Sequence, residues 1–313
     1  MKTQVVYFTA PHKLEWREMD VPDPAPGEVQ VKCVANGICM LEVSIYLGKE
    51  SWYPSPAGHE GVGRVIKVGK DVTALKEGDW VATSRWAMIE NLPAAGLARL
   101  SRAPADPSVF LIEPAACVVT ALYSYDITAG DRVLLLGAGY MGLINVQALA
   151  HCPLAELVVT DVKAENLALS REYGATEVIN SATDAGKARL EELKQRPFDL
   201  VIEAAGVEST IQMAGALTRP GGRLSIFAWH HGLRTVDMTP WHLRGLKVLN
   251  SAPGIGTDHN ISSMQRAVYL LERGLFDMRK MVTHRHPIKD VAAAMEIAAK
   301  RPADYRKGVL LFD

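Results

Sequence analysis

Residues 133–161 read VLLLGAGYMGLINVQALAHCPLAELVVTD, and this stretch decides the fold. It begins with four apolar residues in a row, which is typical of a strand buried on both faces of a parallel sheet. Gly137, Gly139 and Gly142 follow with the G-x-G-x-x-G spacing. A helix is predicted over residues 140–150, and a second apolar run comes after it. Strand, glycine turn, helix and strand in this order predict one βαβ unit.

The glycine turn of this unit predicts a dinucleotide site. The first glycine permits the tight turn, the second lets backbone approach a pyrophosphate, and the third lets the helix pack on the strand. The first N–H groups of the helix, including those of Tyr140 and Met141, would point at the phosphates. Asp161 ends the second strand about 20 residues beyond Gly142, where an acid can accept hydrogen bonds from ribose hydroxyls. Because a 2′-phosphate would meet a like charge there, we expect NAD rather than NADP.

Composition bounds the class of protein. A chain of 313 residues with 48% apolar composition can bury a large core, and its length allows about two domains. Its 34 basic residues balance 35 acidic ones, so no net charge attracts nucleic acid or an anionic membrane. The first residues contain no apolar leader, and the chain has no uninterrupted apolar run of about 18 residues. We therefore expect a cytoplasmic protein with a small-molecule substrate, no nucleic-acid partner and no membrane association.

A second group of residues carries metal-binding chemistry. The phrase GHEGVGRVIKVG at residues 58–69 sets His59 and Glu60 just before a β-prone, glycine-punctuated run, with Cys39 upstream and Glu113 downstream. Thiolate, imidazole and carboxylate are all zinc ligands, and a catalytic zinc site has three protein ligands and one open position. No two of the four cysteines form a C-x-x-C pair, so a metal site must draw on residues distant in sequence.

Together with Gly78-Asp79 and the GAGYMG turn, these motifs resemble the medium-chain dehydrogenase/reductase family, in its zinc-dependent alcohol and polyol (sorbitol-type) branch. The resemblance implies an α/β protein with two domains. A GroES-like, β-rich catalytic domain would span residues 1–116 and be completed by residues 282–313. A Rossmann domain with a doubly wound parallel sheet would span residues 117–281 and bind NAD. The resemblance also implies an active site between the domains and a homodimer or homotetramer.

The family pattern implies roles for individual residues. Cys39 and His59 would bind a catalytic zinc, Glu113 stands in the place of the third side-chain ligand, and Glu60 would be a ligand or its close neighbour. Lys307 matches a position at which a basic residue can approach the cofactor pyrophosphate. The implied reaction is hydride transfer between NAD(H) and a secondary alcohol or ketone, with a polyol, cyclitol or sugar-like substrate.

Two departures from the family pattern stand beside these expectations. Leu41 replaces a family Ser or Thr, so the usual first hydroxyl of a proton relay is missing; Ser44, Tyr46 or Glu60 could replace it through water. Glu42 replaces a family Asp and can still accept a hydrogen bond from the N–H of His59.

The family's structural zinc lobe is also missing, because residues 82–106 contain no cysteine. We therefore expect one catalytic zinc per chain and no structural zinc. Two alternatives stay open, a zinc-free NADPH-dependent quinone or enoyl reductase of the same superfamily, and a nucleotide-binding protein without turnover. The first conflicts with Cys39, His59, Glu113 and Asp161, whereas the second draws its support from Leu41.

A further group of aromatic and imidazole side chains follows a predicted strand that ends at Phe227. Such side chains suit either a hydroxylated substrate or an interface between domains or subunits. Nearby, the apolar run at residues 246–249, broken by Lys247, could supply an edge strand for pairing between subunits. The group consists of Trp229, His230, His231, Trp241 and His242.

Overall fold

The computed structural model of the chain describes residues 1–83, 85–252 and 261–312, with only the backbone of Ile261. These residues form two compact units. The first unit contains residues 1–116 and 261–312, and the second contains residues 117–252.

The first unit is built on β-sheets. One sheet has the order β2-β1-β4, and the larger one has the order β14-β15-β3-β5-β6, with β7 also paired to β3. The strands are β1 (Lys2–Ala10), β2 (Lys13–Asp20), β3 (Glu28–Ile38), β4 (Ser55–Pro56), β5 (Gly61–Val68), β6 (Trp80–Thr83), β7 (Ile89–Pro93), β14 (Val282–Pro287) and β15 (Lys307–Leu311).

The helices of the first unit cover its sheets. Helix α1 packs on α9 over an apolar core that includes Phe8, Trp86 and Met295. The helices are α1 (Met40–Tyr46), α8 (Ile261–Glu272), α9 (Val291–Lys300) and the first turn of α2 (Ile112–Tyr125), which continues into the second unit.

Strand β15, the last strand in the sequence, pairs with β3, the strand that ends just before Cys39. Gly308 to Leu311 pair antiparallel with Ile38 to Ala35 of β3. Lys307, the first residue of β15, is thereby brought beside the segment that follows β3. The C-terminal strands complete the sheet of the first unit.

The predicted boundary at residue 281 needs correction. The sequence placed residues 117–281 in the Rossmann domain, but helix α8 belongs to the first unit. Its side chains bond to the backbone near residue 100, with Gln265 accepting from the N–H of Arg99 at 3.2 Å and Glu272 accepting from that of Ser101 at 2.6 Å. The helical pattern predicted the helix but not the unit on which it packs.

The second unit is a doubly wound α/β fold, as predicted. Its six strands run parallel in the order β10-β9-β8-β11-β12-β13, which is the strand order of the Rossmann fold. The strands are β8 (Arg132–Leu136), β9 (Glu156–Asp161), β10 (Glu177–Asn180), β11 (Phe198–Glu203), β12 (Thr218–Ile226) and β13 (Lys247–Asn250). The helices are α3 (Tyr140–Leu149), α4 (Ala164–Glu172), α5 (Asp184–Leu193), α6 (Glu208–Leu217) and α7 (Thr239–Leu243).

The βαβ unit predicted from residues 133–161 is formed by β8, α3 and β9. Leu134, Leu135 and Leu136 have no exposed surface, which explains the unbroken apolar run of β8. Strand β13, which contains residues 247–249 of the apolar run predicted at residues 246–249, is an edge strand of the six-stranded sheet, opposite β10.

Within the described residues, one helical stretch is long and apolar enough to cross a membrane by length and composition alone. It spans Pro107–Tyr125, and 61% of its most apolar 18-residue segment is buried in the fold. A buried apolar helix is what the core of a soluble protein contains, so this stretch is consistent with a soluble protein.

Candidate active site

Cys39 lies at the junction between β3 and α1, where it caps the helix. Its backbone is extended, and its N–H donates to Oε2 of Glu42 at 3.1 Å, three residues into the helix. This reciprocal capping arrangement satisfies an otherwise free backbone donor at the start of the helix. It also fixes Glu42, whose side chain is only 4% exposed.

The other oxygen of Glu42 orients His59, which comes from the loop before β5. Oε1 of Glu42 lies 2.7 Å from Nδ1 of His59. Burial would lower the pKa of His59, but the Glu42 carboxylate, and Cys39 after it, raise that pKa well above its usual value. A carboxylate that holds one ring nitrogen leaves the other, Nε2, available as a metal ligand.

Glu60 is buried next to His59, and Lys307 lies on its carboxylate in an ion pair. Gly37 makes room for this carboxylate, because a Cβ atom at that position would overlap it. Burial raises the pKa of Glu60, although the Lys307 charge acts in the opposite direction. Burial alone would lower the pKa of Lys307, but Glu60 raises it. The ion pair allows both charges to stay buried.

The predicted metal ligands come together in the first unit. Potential ligand atoms of Cys39, Glu42 and His59 lie within 4.8 Å of one another, and so do those of His59, Glu60 and Glu113. His59 is common to both groups. Glu113 is the second residue of α2, so the start of that helix supplies the potential ligand that is farthest from Cys39 in sequence.

The donor set fits zinc. One thiol, one imidazole and two carboxylates are ligand types that zinc accepts, and a site with three ligands retains an open position for a substrate oxygen. Both oxygens of Glu42 are already engaged, which makes it an orienting group rather than a ligand. The pKa of the Cys39 thiol is raised, by burial first and by Glu60 next.

Three side chains were predicted to replace the hydroxyl missing at Leu41 in proton transfer, and one of them, Tyr46, is directed away from the potential metal ligands. The Leu41 side chain packs against the apolar core. The hydroxyl of Tyr46 donates to Oε1 of Glu296 at 2.6 Å, on the side of α1 that packs on α9. Tyr46 is therefore engaged elsewhere, whereas Ser44 is 2% exposed and Glu60 lies in the site itself. Their part in proton transfer stays a prediction.

The glycine turn of the second unit has the shape that a pyrophosphate requires. A Cβ atom at Gly139 would meet nothing within 4 Å, which leaves open space against the backbone, whereas one at Gly142 would overlap the carbonyl oxygen of Gly137. Gly137 itself has φ +101°, a left-handed conformation that favours glycine. The first turn of α3, with Tyr140 and Met141, follows this open space directly. The cradle fits a dinucleotide cofactor.

Asp161 ends β9 and holds the glycine turn. Its Oδ2 accepts a hydrogen bond from the N–H of Ala138 at 2.7 Å, and its Oδ1 accepts one from the N–H of Lys163 at 2.8 Å. These bonds fix a negative charge beside the turn. Its predicted contact with the ribose of NAD stays a prediction, and so does that of Lys307 with the pyrophosphate.

The aromatic and imidazole group predicted after β12 is not one cluster. Trp241 is buried in the apolar core of the second unit, and His242 is exposed. Trp229 stacks on His231 with ring centroids 5.1 Å apart. Nε2 of His230 lies 2.7 Å from Oε2 of a buried acid, Glu203. Sequence reasoning did not identify Glu203; its signal is an acid that ends a strand directly after the apolar run Leu200-Val201-Ile202.

Two family models match the chain in the order of its two units. Residues 25–96 match the alcohol dehydrogenase GroES-like domain, and residues 141–270 match the zinc-binding dehydrogenase domain. Together they cover nearly two thirds of the chain.

Whole-length relatives support the same assignment. Sheep (Ovis aries) sorbitol dehydrogenase is 26% identical, with 93% of this chain and 91% of the relative covered. L-threonine 3-dehydrogenase of Anaeromyxobacter sp. (strain K) is also 26% identical, over 90% and 91% of the two chains. A crystal structure of an alcohol dehydrogenase from Escherichia coli CFT073 in complex with NADH superposes with a TM-score of 0.86 at 25% identity and covers 99% of each chain.

Both domain models and the site geometry lead to one class of protein. The chain belongs to the zinc-type medium-chain dehydrogenase/reductase family, whose members named above are oxidoreductases. The resemblance inferred from the sequence motifs is thereby confirmed, and so are the GroES-like and Rossmann folds of the two parts.

Proposed function

We propose that the chain is an NAD-dependent, zinc-containing dehydrogenase that transfers a hydride between NAD(H) and a secondary alcohol or ketone. The observation that carries the proposal is the convergence of Cys39, His59, Glu60 and Glu113, with His59 oriented by Glu42. A zinc ion held by Cys39, His59 and one of the two acids would supply a Lewis acid for the substrate oxygen. A nicotinamide cofactor would supply the hydride acceptor or donor.

The residues of the chain have distinct parts in this proposal. Glu42 keeps the proton of His59 on Nδ1, so that Nε2 presents a lone pair. Lys307 balances the charge of Glu60. Ser44 and Glu60 are the groups that we propose for proton transfer in place of a hydroxyl at position 41.

NAD is favoured over NADP by Asp161. Its carboxylate is fixed by two backbone N–H groups beside the glycine turn, so a 2′-phosphate would be repelled there. A polyol, cyclitol or sugar-like substrate is supported by the sorbitol dehydrogenase relative. A cytoplasmic, homo-oligomeric enzyme with a single zinc per chain completes the proposal.

Zinc stoichiometry of the purified full-length chain, prepared without chelator, tests this function. We expect about one zinc per chain, lost in Cys39→Ala. Cys152→Ala is the matched control, since it removes a thiol of the second unit and should keep the zinc. NADH formation from NAD⁺ with a panel of secondary alcohols should then depend on the metal.

Other results would favour the alternatives. Wild-type protein without zinc would contradict the proposal and favour a zinc-free reductase, to be assayed with NADPH and quinones. Zinc and NADH binding without turnover of any alcohol or ketone would favour the nucleotide-binding protein suggested by Leu41.

A further inference from the structure

Glu203 lies at the centre of the carboxyl edge of the six-stranded sheet. It is the last residue of β11, and its neighbours in the sheet are Leu136 of β8 and Ile226 of β12. Gly137, which follows Leu136, packs so closely on the segment after β11 that an added Cβ would lie 2.7 Å from the nitrogen of Ala205. A buried acid therefore lies beside the glycine turn, at the edge where this fold binds its ligands.

All the groups that bond to the Glu203 carboxylate can donate. Oε1 lies 2.9 Å from the N–H groups of Ala205 and Gly206 and 2.7 Å from the hydroxyl of Thr210. Oε2 lies 2.7 Å from Nε2 of His230. The carboxylate form of this side chain can accept all four bonds, and in that form Nε2 of His230 is the donor to Oε2.

The second ring nitrogen of His230 has no hydrogen-bond partner among the described residues, although it is buried. The side chain as a whole is 11% exposed. In the tautomer with the hydrogen on Nε2, Nδ1 is an acceptor. A buried acceptor without a donor costs free energy, so this arrangement points to a donor that a ligand supplies.

The place of His230 in the fold indicates which part of a dinucleotide supplies that donor. In this strand order each half of the sheet binds one mononucleotide. Asp161 on β9 belongs to the half that takes the adenosine side, and His230 follows β12 in the other half. The nicotinamide nucleoside there offers ribose hydroxyls and a carboxamide N–H as donors, whereas the pyrophosphate offers none.

We propose that His230, held in place by Glu203, accepts a hydrogen bond at Nδ1 from the nicotinamide nucleoside of the bound cofactor. The inference rests on the proposed function, because it requires that the second unit bind NAD(H). It assigns His230 as a cofactor-binding residue and Glu203 as the positioning residue behind it. Two of the five residues in the predicted aromatic and imidazole group, His230 and Trp241, thus have separate tasks.

Two substitutions at His230 separate this role from a merely structural one. In His230→Gln the side-chain amide can still donate to Glu203, but no polar atom replaces Nδ1. In His230→Asn a polar atom takes the place of Nδ1, but the bond to Glu203 is lost. Calorimetric titration of each full-length variant with NADH, ADP-ribose and ADP, together with its melting temperature, provides the comparison.

We expect the affinity for NADH to be highest in the wild type, lower in His230→Asn and lowest in His230→Gln. The Gln variant should lose roughly three- to tenfold, as for one neutral hydrogen bond, and keep its melting temperature and its ADP affinity. If His230→Gln loses as much affinity for ADP-ribose as for NADH, the donor is a ribose hydroxyl. If its affinity for ADP-ribose is unchanged, the donor is the carboxamide N–H. Both results support the proposal.

A different pattern would overturn it. His230 would only brace the loops through Glu203 if His230→Asn weakened NADH binding more than His230→Gln. The same would follow if His230→Gln lost as much affinity for ADP as for NADH. NADH affinity unchanged in Gln would have the same meaning. Failure of the proposed function looks different, since it would be seen in the wild-type chain itself, as missing zinc, missing turnover or missing NADH binding, and not in the comparison of the two His230 variants.

Discussion

Oε1 of Glu42 lies 2.7 Å from Nδ1 of His59, and Oε2 of the same carboxylate accepts the backbone N–H of Cys39 at 3.1 Å. One buried side chain therefore orients two of the predicted metal ligands, which come from segments 20 residues apart in sequence. The family places a shorter Asp at this position. The longer Glu still reaches the imidazole, so the departure leaves the orienting contact intact.

Substituting Glu42 by Gln should weaken zinc binding by about 10- to 100-fold, the usual cost of removing a partner behind a ligating histidine. A Gln amide that accepts from Cys39 would present its NH₂ group to His59. That group would donate to Nδ1, and the imidazole proton would move to Nε2, where it blocks metal binding. Competition with a chromogenic chelator measures the affinity.

Glu18→Gln is the control for this experiment, because Glu18 is an exposed acid on β2 of the same unit. Its zinc affinity should equal that of the wild type. Equal affinities of the Glu42 and Glu18 variants would contradict the orienting role.

The glycines of the dinucleotide turn should respond in opposite ways to alanine. Gly139→Ala should leave the free energy of unfolding within about 0.5 kcal/mol of the wild type, because its backbone is extended and its Cβ meets open space. NADH affinity should fall at least tenfold, since the methyl group would fill the phosphate cradle. Gly142→Ala should cost about 1–3 kcal/mol of stability through its overlap with Gly137. Urea unfolding and NADH titration of both variants check this, and unchanged NADH affinity in Gly139→Ala would place the cofactor elsewhere.

Asp161→Asn should reduce the preference for NADH over NADPH by about tenfold, because it removes a charge that would repel a 2′-phosphate. The Asn oxygen can still accept the Ala138 N–H, so the turn should persist. Asp184→Asn is the control, as this acid of the same unit is fully exposed at the start of α5. The ratio of dissociation constants for the two cofactors is the measurement, and an unchanged ratio would remove Asp161 from cofactor selection.

Local patterns in the sequence were sufficient to predict the βαβ unit of the second unit, whereas the GroES-like fold of the first unit was expected from the family resemblance. The apolar run of β8, the glycine spacing and the terminal acid Asp161 each report on neighbours within 30 residues, and β8, α3 and β9 form where they were predicted. The metal ligands were found by residue type and by family resemblance. Their distances could not be predicted, because Cys39, His59 and Glu113 belong to different elements whose approach depends on the packed fold.

Pairings between distant residues had no signal in the sequence. Lys307 lies on Glu60 because β15 pairs with β3, a contact that bridges most of the chain. Helix α8 has the same apolar pattern whichever unit it packs on, so its unit was assigned wrongly. The bond between His230 and Glu203 depends on loops that follow two different strands, and a histidine-rich segment alone does not identify its acidic partner.

The hydrogen bond from Tyr46 to Glu296 provides a prediction for alkaline conditions. Burial, together with Glu296, raises the pKa of Tyr46 to about 12. Since the folded state holds the phenol proton more tightly than the unfolded state, the bond stabilises fully below about pH 10, the usual tyrosine pKa. This contribution is lost as the pH rises from about 10 to about 12. Glu296 is 45% exposed, which limits the contribution to about 1 kcal/mol.

Tyr46→Phe should therefore be less stable than the wild type by about that amount at pH 8, and the difference should shrink towards zero near pH 12. Urea unfolding of both proteins across this pH range measures the difference, in which the titration of all other groups cancels. Tyr269→Phe, at an exposed tyrosine on α8, is the control and should show no pH-dependent difference. A difference for Tyr46→Phe that stayed constant up to pH 12 would mean that the hydroxyl proton does not bind Glu296, and that the substitution acts through packing alone.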